Sequence, residues 1–125
     1  MASASAAQIR SAVLALGDRD RAASAATYFK TGPGEYGAGD VFAGVRVPVL
    51  RKLADGYRGA SRPTLTRLLD DEVHEVRLLA LIVLVGEFER APEHERARWV
   101  QCYRDAVAAG WVNNWDLVDS SARQI

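Results

Sequence analysis

Cysteine, methionine, histidine and proline are all scarce in this 125-residue chain, at one, one, two and four residues. Neither sign of charge is in excess. Cys102 has no partner cysteine, which excludes a disulfide scaffold and makes a buried structural thiol its expected role. His74 and His94 lie far apart with no ligand at metal spacing, so no zinc site and no other metal site is expected. Lys plus Arg and Asp plus Glu are both 16, giving zero formal charge, which counts against simple phosphate neutralisation. The longest apolar run, Leu78–Val85, is far short of the ~20 residues that span a bilayer, so no membrane association is expected. No basic stretch followed by an apolar one opens the chain, so the expected compartment is the cytoplasm.

Apolar residues make up 49% of the chain and charged residues 26%, which is enough to build a core and excludes wholesale disorder. The charge is unevenly spread. Residues 1–60 hold 8 basic and 5 acidic side chains, and residues 61–125 hold 8 and 11. Fourteen of the basic residues are arginine.

The apolar spacing is helical nearly throughout. Ile9, Val13, Leu14 and Leu16 mark a first helix ended by Gly17. Asp18 or Asp20 caps a second, through Phe29, and the glycine-rich stretch from Thr31 to Gly44 reads as a loop. Pro48 opens a third helix through Val49, Leu50, Leu53 and Tyr57, closed by Gly56 and Gly59. Ser61 caps a fourth, burying Leu65, Leu68 and Leu69. Asp70 or Asp71 starts a long fifth helix that ends near Arg90 and is apolar all round in its middle. Pro92 opens a sixth, with Ala97, Val100, Tyr103, Ala106 and Val107 inward and Gly110 at its end. Asn113 caps a seventh, with Asp116 at its third position. No stretch alternates with the period of a strand. Seven helices with short connections point to an all-α fold, an α-solenoid of HEAT-like antiparallel helical repeats.

The densest chemistry lies in Trp111, Asn113, Asn114, Trp115, Asp116 and Asp119. Trp115 and Asp119 are four apart and share one helix face. A core tryptophan beside a solvated aspartate is the ordinary explanation of such a pair. The functional one is a ring face and a carboxylate offered to a cationic ligand or transition state. The glycine-rich loop lacks a P-loop ending, and no serine elbow is present.

The blocks Tyr28-Phe29-Lys30-Thr31-Gly32-Pro33-Gly34-Glu35-Tyr36-Gly37, Gly44-Val45-Arg46-Val47-Pro48-Val49-Leu50-Arg51 and Asn113-Asn114-Trp115-Asp116-Leu117-Val118-Asp119 together resemble the DNA alkylation repair family. The resemblance covers roughly residues 28–125. It implies a curved stack of helical pairs gripping duplex DNA, and release of cationic N3- or N7-alkylated purines without a cofactor. It assigns the catalytic carboxylate to Asp119 and the lesion-facing ring to Trp115. The basic half of the chain is expected to grip DNA, through Lys30 and Arg46 flanking the glycine-rich loop and Arg51 and Lys52 on the helix opened by Pro48. Of the DNA-binding candidates, Tyr28, Lys30 and Arg51 stand at positions that match the family motif. Trp99 and Trp111 do not match the family's second aromatic position. By this resemblance, residues 1–125 form a single helical-repeat domain, the N-terminal part of a longer solenoid. A solenoid ending here would leave an apolar end open to self-association. Two alternatives stand beside the glycosylase: a non-catalytic binder of damaged or branched DNA, and a protein-interaction solenoid.

Overall fold

The computed structural model describes residues 4–28 and 41–109. Its six helices are α1 (Ala6–Ala15), α2 (Arg19–Tyr28), α3 (Val47–Asp55), α4 (Arg62–Leu69), α5 (His74–Arg90) and α6 (Glu93–Ala108). The described residues contain no strand, only one isolated bridge between Val41 and Val73. The fold is all-α, as expected. No helix among the described residues is long and apolar enough to cross a membrane.

Local chemistry starts several of these helices. Ser5 and Gln8 form a reciprocal capping box at α1, with hydrogen bonds of 3.1 and 2.8 Å. Of the two expected caps for α2, Asp18 does the work: its carboxylate accepts from Arg21 N–H at 2.9 Å. Ser61 caps α4 as expected, accepting from Thr64 N–H, with Pro63 in the first turn where no amide is needed. Pro48 likewise sits in the first turn of α3, and Gly56 ends that helix.

Helix α5 starts later than the aspartates suggest. Asp70 is the C-cap of α4, and Asp71 turns its side chain to accept from Val73 N–H at 2.9 Å. The same carboxylate accepts from Arg10 Nε at 2.7 Å, tying α1 to the α4–α5 turn. His74 N–H then donates to Val41 C=O at 2.7 Å. Long-range pairing thus delays the helix to His74, with Val73 as its N-cap.

Leu50 and Ala54 of α3, Leu65, Leu68 and Leu69 of α4, and Ile9 and Val13 of α1 converge on α5, which is buried along most of its length. Helix α5 packs against α1, α3, α4 and α6, while α4 also packs against α1 and α6. This places α1, α4 and α6 in one layer and α3 and α5 in the other, a pattern compatible with stacked helical repeats.

Several residues expected inside lie outside. Leu14 and Leu16 are exposed because α1 buries only the Ile9/Val13 face and ends at Ala15. Val49 is exposed because α3 turns Leu50 and Ala54 inward. Of the expected inward residues of α6, Ala106 is buried, Val100 and Tyr103 are half-buried, and Ala97 and Val107 are exposed. Phe29, Gly110 and the helix expected after Asn113 lie outside the described residues.

Truncating Leu79, fully buried on α5, is expected to cost about 2–5 kcal/mol, whereas Val107→Ala should stay within about 0.5 kcal/mol. Urea denaturation of the two variants checks this contrast. The Asp18 carboxyl is held below its ordinary value, chiefly by the hydrogen bond from Arg21 N–H. A depressed carboxyl contributes stability above its unfolded-state value and loses it as pH falls through the folded one. Thermal melts between about pH 5 and about pH 2 should therefore show a steeper acid loss for the parent than for Asp18→Asn, which keeps a cap oxygen without the titration.

Candidate nucleic-acid interface

The residues between Val41 and Arg46 have no regular structure apart from the Val41–Val73 bridge, yet they are densely tied. The Glu75 side chain, in the first turn of α5, enters them from below. Its two oxygens accept from three consecutive backbone amides: Ala43 N–H at 2.9 Å, Gly44 N–H at 2.7 Å and Val45 N–H at 3.0 Å. Only 3% of Glu75 is exposed, so its charge is removed from water and met by the converging N–H dipoles instead. Next to it, the His74 ring stacks on Phe42 with centroids 4.6 Å apart.

Gly44 allows this path. Its φ is +82°, and a Cβ there would meet Asp18 O at 2.0 Å and Ala22 N at 2.7 Å. No side chain fits between the loop and the start of α2. Asp18 N–H also donates to Ala43 C=O at 2.9 Å, so the α1–α2 turn lies against the same segment.

Arg46 leaves this loop as the N-cap of α3 and is exposed. With Arg21, Ser24 and Val45 it lines a cleft of about 290 Å³ whose wall includes Glu75. Arg51, one turn further, lines a second cleft of about 210 Å³ between α3 and α5, together with Arg58 and Arg90. Asp55 and Glu89 share that cleft, and Arg90 Nη2 pairs with Glu87 at 3.3 Å. Lys52 is exposed on α3 beside Arg51. Arg46, the N-cap of α3, and Arg51 and Lys52 within it form no ion pair among the described residues, although the Arg46 charge acts on the nearby Asp18 carboxyl. An exposed cation outside a close ion pair can neutralise an external anion.

Tyr28 is the last residue of α2, and its side chain lies outside the described set, as do Lys30, Trp115 and Asp119. Cys102 is half-buried, not fully buried as expected. Its Sγ lies 3.7 Å from Thr66 Oγ1, at a shallow groove between α4 and α6. No cluster among the described residues could hold a metal ion.

Glu75 is the residue that sequence reasoning missed. Its position in a helix first turn offers an ordinary reason for an acidic side chain there. The one available signal is a carboxylate three residues before the apolar run Leu78–Val85, at the edge of a helix expected to be buried, where a charge requires several donors.

Residues 9–125 match the family described as DNA alkylation repair enzyme. The chain belongs to that family. No curated protein and no solved structure matches it. Family membership places the chain in DNA repair, so the partner to consider is DNA. The DNA alkylation repair match includes all six described helices but for the first residues of α1, and it continues through Trp115 and Asp119.

If Arg46, Arg51 and Lys52 meet phosphates, each replacement by Ala should lower the slope of log affinity against log salt by about one. Fluorescence-anisotropy titrations with duplex DNA at several salt concentrations measure this. An unchanged slope removes that residue from the interface.

Proposed function

We propose that the chain is an alkylpurine DNA glycosylase that hydrolyses the N-glycosidic bond of cationic N3- or N7-alkylated purines in duplex DNA. The observation that carries this reading is the family match, which runs through the segment Trp115-Asp116-Leu117-Val118-Asp119. The exposed cations Arg46, Arg51 and Lys52 at and within α3 support it, since they suit a phosphate backbone.

The chemistry requires little beyond what these residue types supply. An alkylated purine carries a positive charge and leaves readily. As the bond from C1′ to the purine nitrogen breaks, its electron pair neutralises the base and positive charge grows on the deoxyribose. The carboxylate of Asp119 stabilises that charge and orients a water. The water oxygen bonds to C1′ and its proton passes to the carboxylate or to solvent. The electron-rich face of Trp115 attracts the cationic nucleotide, which favours damaged over neutral bases. No metal or organic cofactor enters this scheme.

The test incubates the chain with methylated duplex DNA and measures both free purine and retained DNA. Asp119→Asn should keep DNA retention and slow base release by about 10²–10³-fold. Asp119→Asn releasing 7-methylguanine as fast as the parent overturns the assignment. A parent that retains DNA without releasing base is instead a non-catalytic binder. One that shows no salt-sensitive retention fits a protein-interaction role.

A further inference from the structure

We infer that Glu75 is a positioning residue for DNA contact: its buried carboxylate latches the 43–45 amides onto α5 and so sets the direction in which α3 offers Arg46, Arg51 and Lys52. The inference rests on the proposed reading that these three cations meet phosphate.

Three consecutive N–H groups turned to one point make an anion receptor, the kind of backbone concavity that elsewhere holds phosphate or carboxylate ligands. Here the chain supplies the anion itself, from a helix thirty residues away. A carboxylate suits the position because both oxygens only accept, and between them they take all three bonds. A glutamine amide would present one donor to donors. Two further ties hold the same segment to the same turn of α5: His74 N–H to Val41 C=O, and the Phe42–His74 stack. Neither reaches past Phe42. Residues 43–45 are tied to α5 through Glu75, and Arg46 follows at once as the α3 N-cap. The segment's other ties, Asp18 N–H to Ala43 C=O and the close approach of Gly44 to Asp18 and Ala22, run to the start of α2 and not to α5. Releasing the carboxylate therefore frees the entry angle of α3, while Leu50 and Ala54 still anchor the helix in the core.

The experiment compares parent, Glu75→Gln and Glu75→Ala at a temperature where circular dichroism shows each one folded. Amide hydrogen exchange reads the latch, and anisotropy with duplex DNA over a salt series reads the contact. In Glu75→Gln, exchange at residues 43–45 should be about tenfold faster or more. Its DNA affinity should fall with a salt slope reduced by about one. For Glu75→Ala, formate should restore part of the affinity relative to chloride at equal ionic strength, because it refills the amide cradle. A general loss of packing would not respond to formate. Parent-like exchange at 43–45 in Glu75→Gln overturns the latch. Faster exchange with parent-like DNA affinity and slope, or equal behaviour of Glu75→Ala in formate and chloride, overturns the positioning role. A parent chain with no salt-sensitive DNA binding overturns the DNA reading, and with it the positioning role. Exchange at 43–45 then decides the latch separately.

Discussion

The Glu75 carboxylate accepts hydrogen bonds from the amides of Ala43, Gly44 and Val45, and the path of these residues into α3 follows from that contact. A charge buried this deeply stays only if its surroundings meet it with several donors. That requirement dictates the positive φ of Gly44 and its approach to the Asp18 carbonyl. The latched segment leads directly into α3, which starts at Val47 with Pro48 in its first turn. Asp71 provides a smaller version of the same device. It binds Val73 N–H with one oxygen and Arg10 with the other, fixing α1 against the turn that precedes α5. Both carboxylates sit where an apolar helix begins, and both join segments distant in sequence.

The packing around them explains how a chain of zero net charge can present cations selectively. Helix α5 is enclosed by α1, α3, α4 and α6, so its charged residues Glu75 and Arg77 are used inside the protein. Arg77 Nη1 donates to the carbonyls of Asp71 and Glu72, at 3.0 and 3.2 Å. Arg10 is likewise consumed by an ion pair. Arg46, Arg51 and Lys52 are not, because α3 buries only Leu50 and Ala54 and turns its other side to solvent. Local geometry, more than total charge, decides which guanidinium can reach an anion. The neutral balance that argues against DNA at the level of composition is therefore consistent with a family devoted to DNA repair.

Much of the fold was legible because it depends on neighbours in sequence. Ser61 and Asp18 cap through amides three residues away, and Pro48 and Pro63 suit first turns through their own ring geometry. The Leu65/Leu68/Leu69 stripe shows which side of α4 is buried. The errors share a different origin. Asp71 looked like a helix cap and proved to be a cross-link, since Arg10 lies 61 residues away. Leu14, Leu16, Val49 and Val107 are apolar but exposed, because which stripe of a helix is covered depends on the neighbouring helix. Glu75 was not singled out, because its donors lie some thirty residues earlier.

By itself, the sequence determined the all-α class, most helix limits, the family and the motif containing Trp115 and Asp119. Helical periodicity, caps and short motifs are written within a few residues of themselves, so linear spacing carries them. Only the tertiary structure decided that α5 is the central element, that α5 begins at His74, and that Glu75 holds the loop leading into α3. Those outcomes depend on which buried charge meets which distant amide. Spacing along the chain does not encode that choice, because it is made only when desolvation leaves each carboxylate with the donors the fold brings to it.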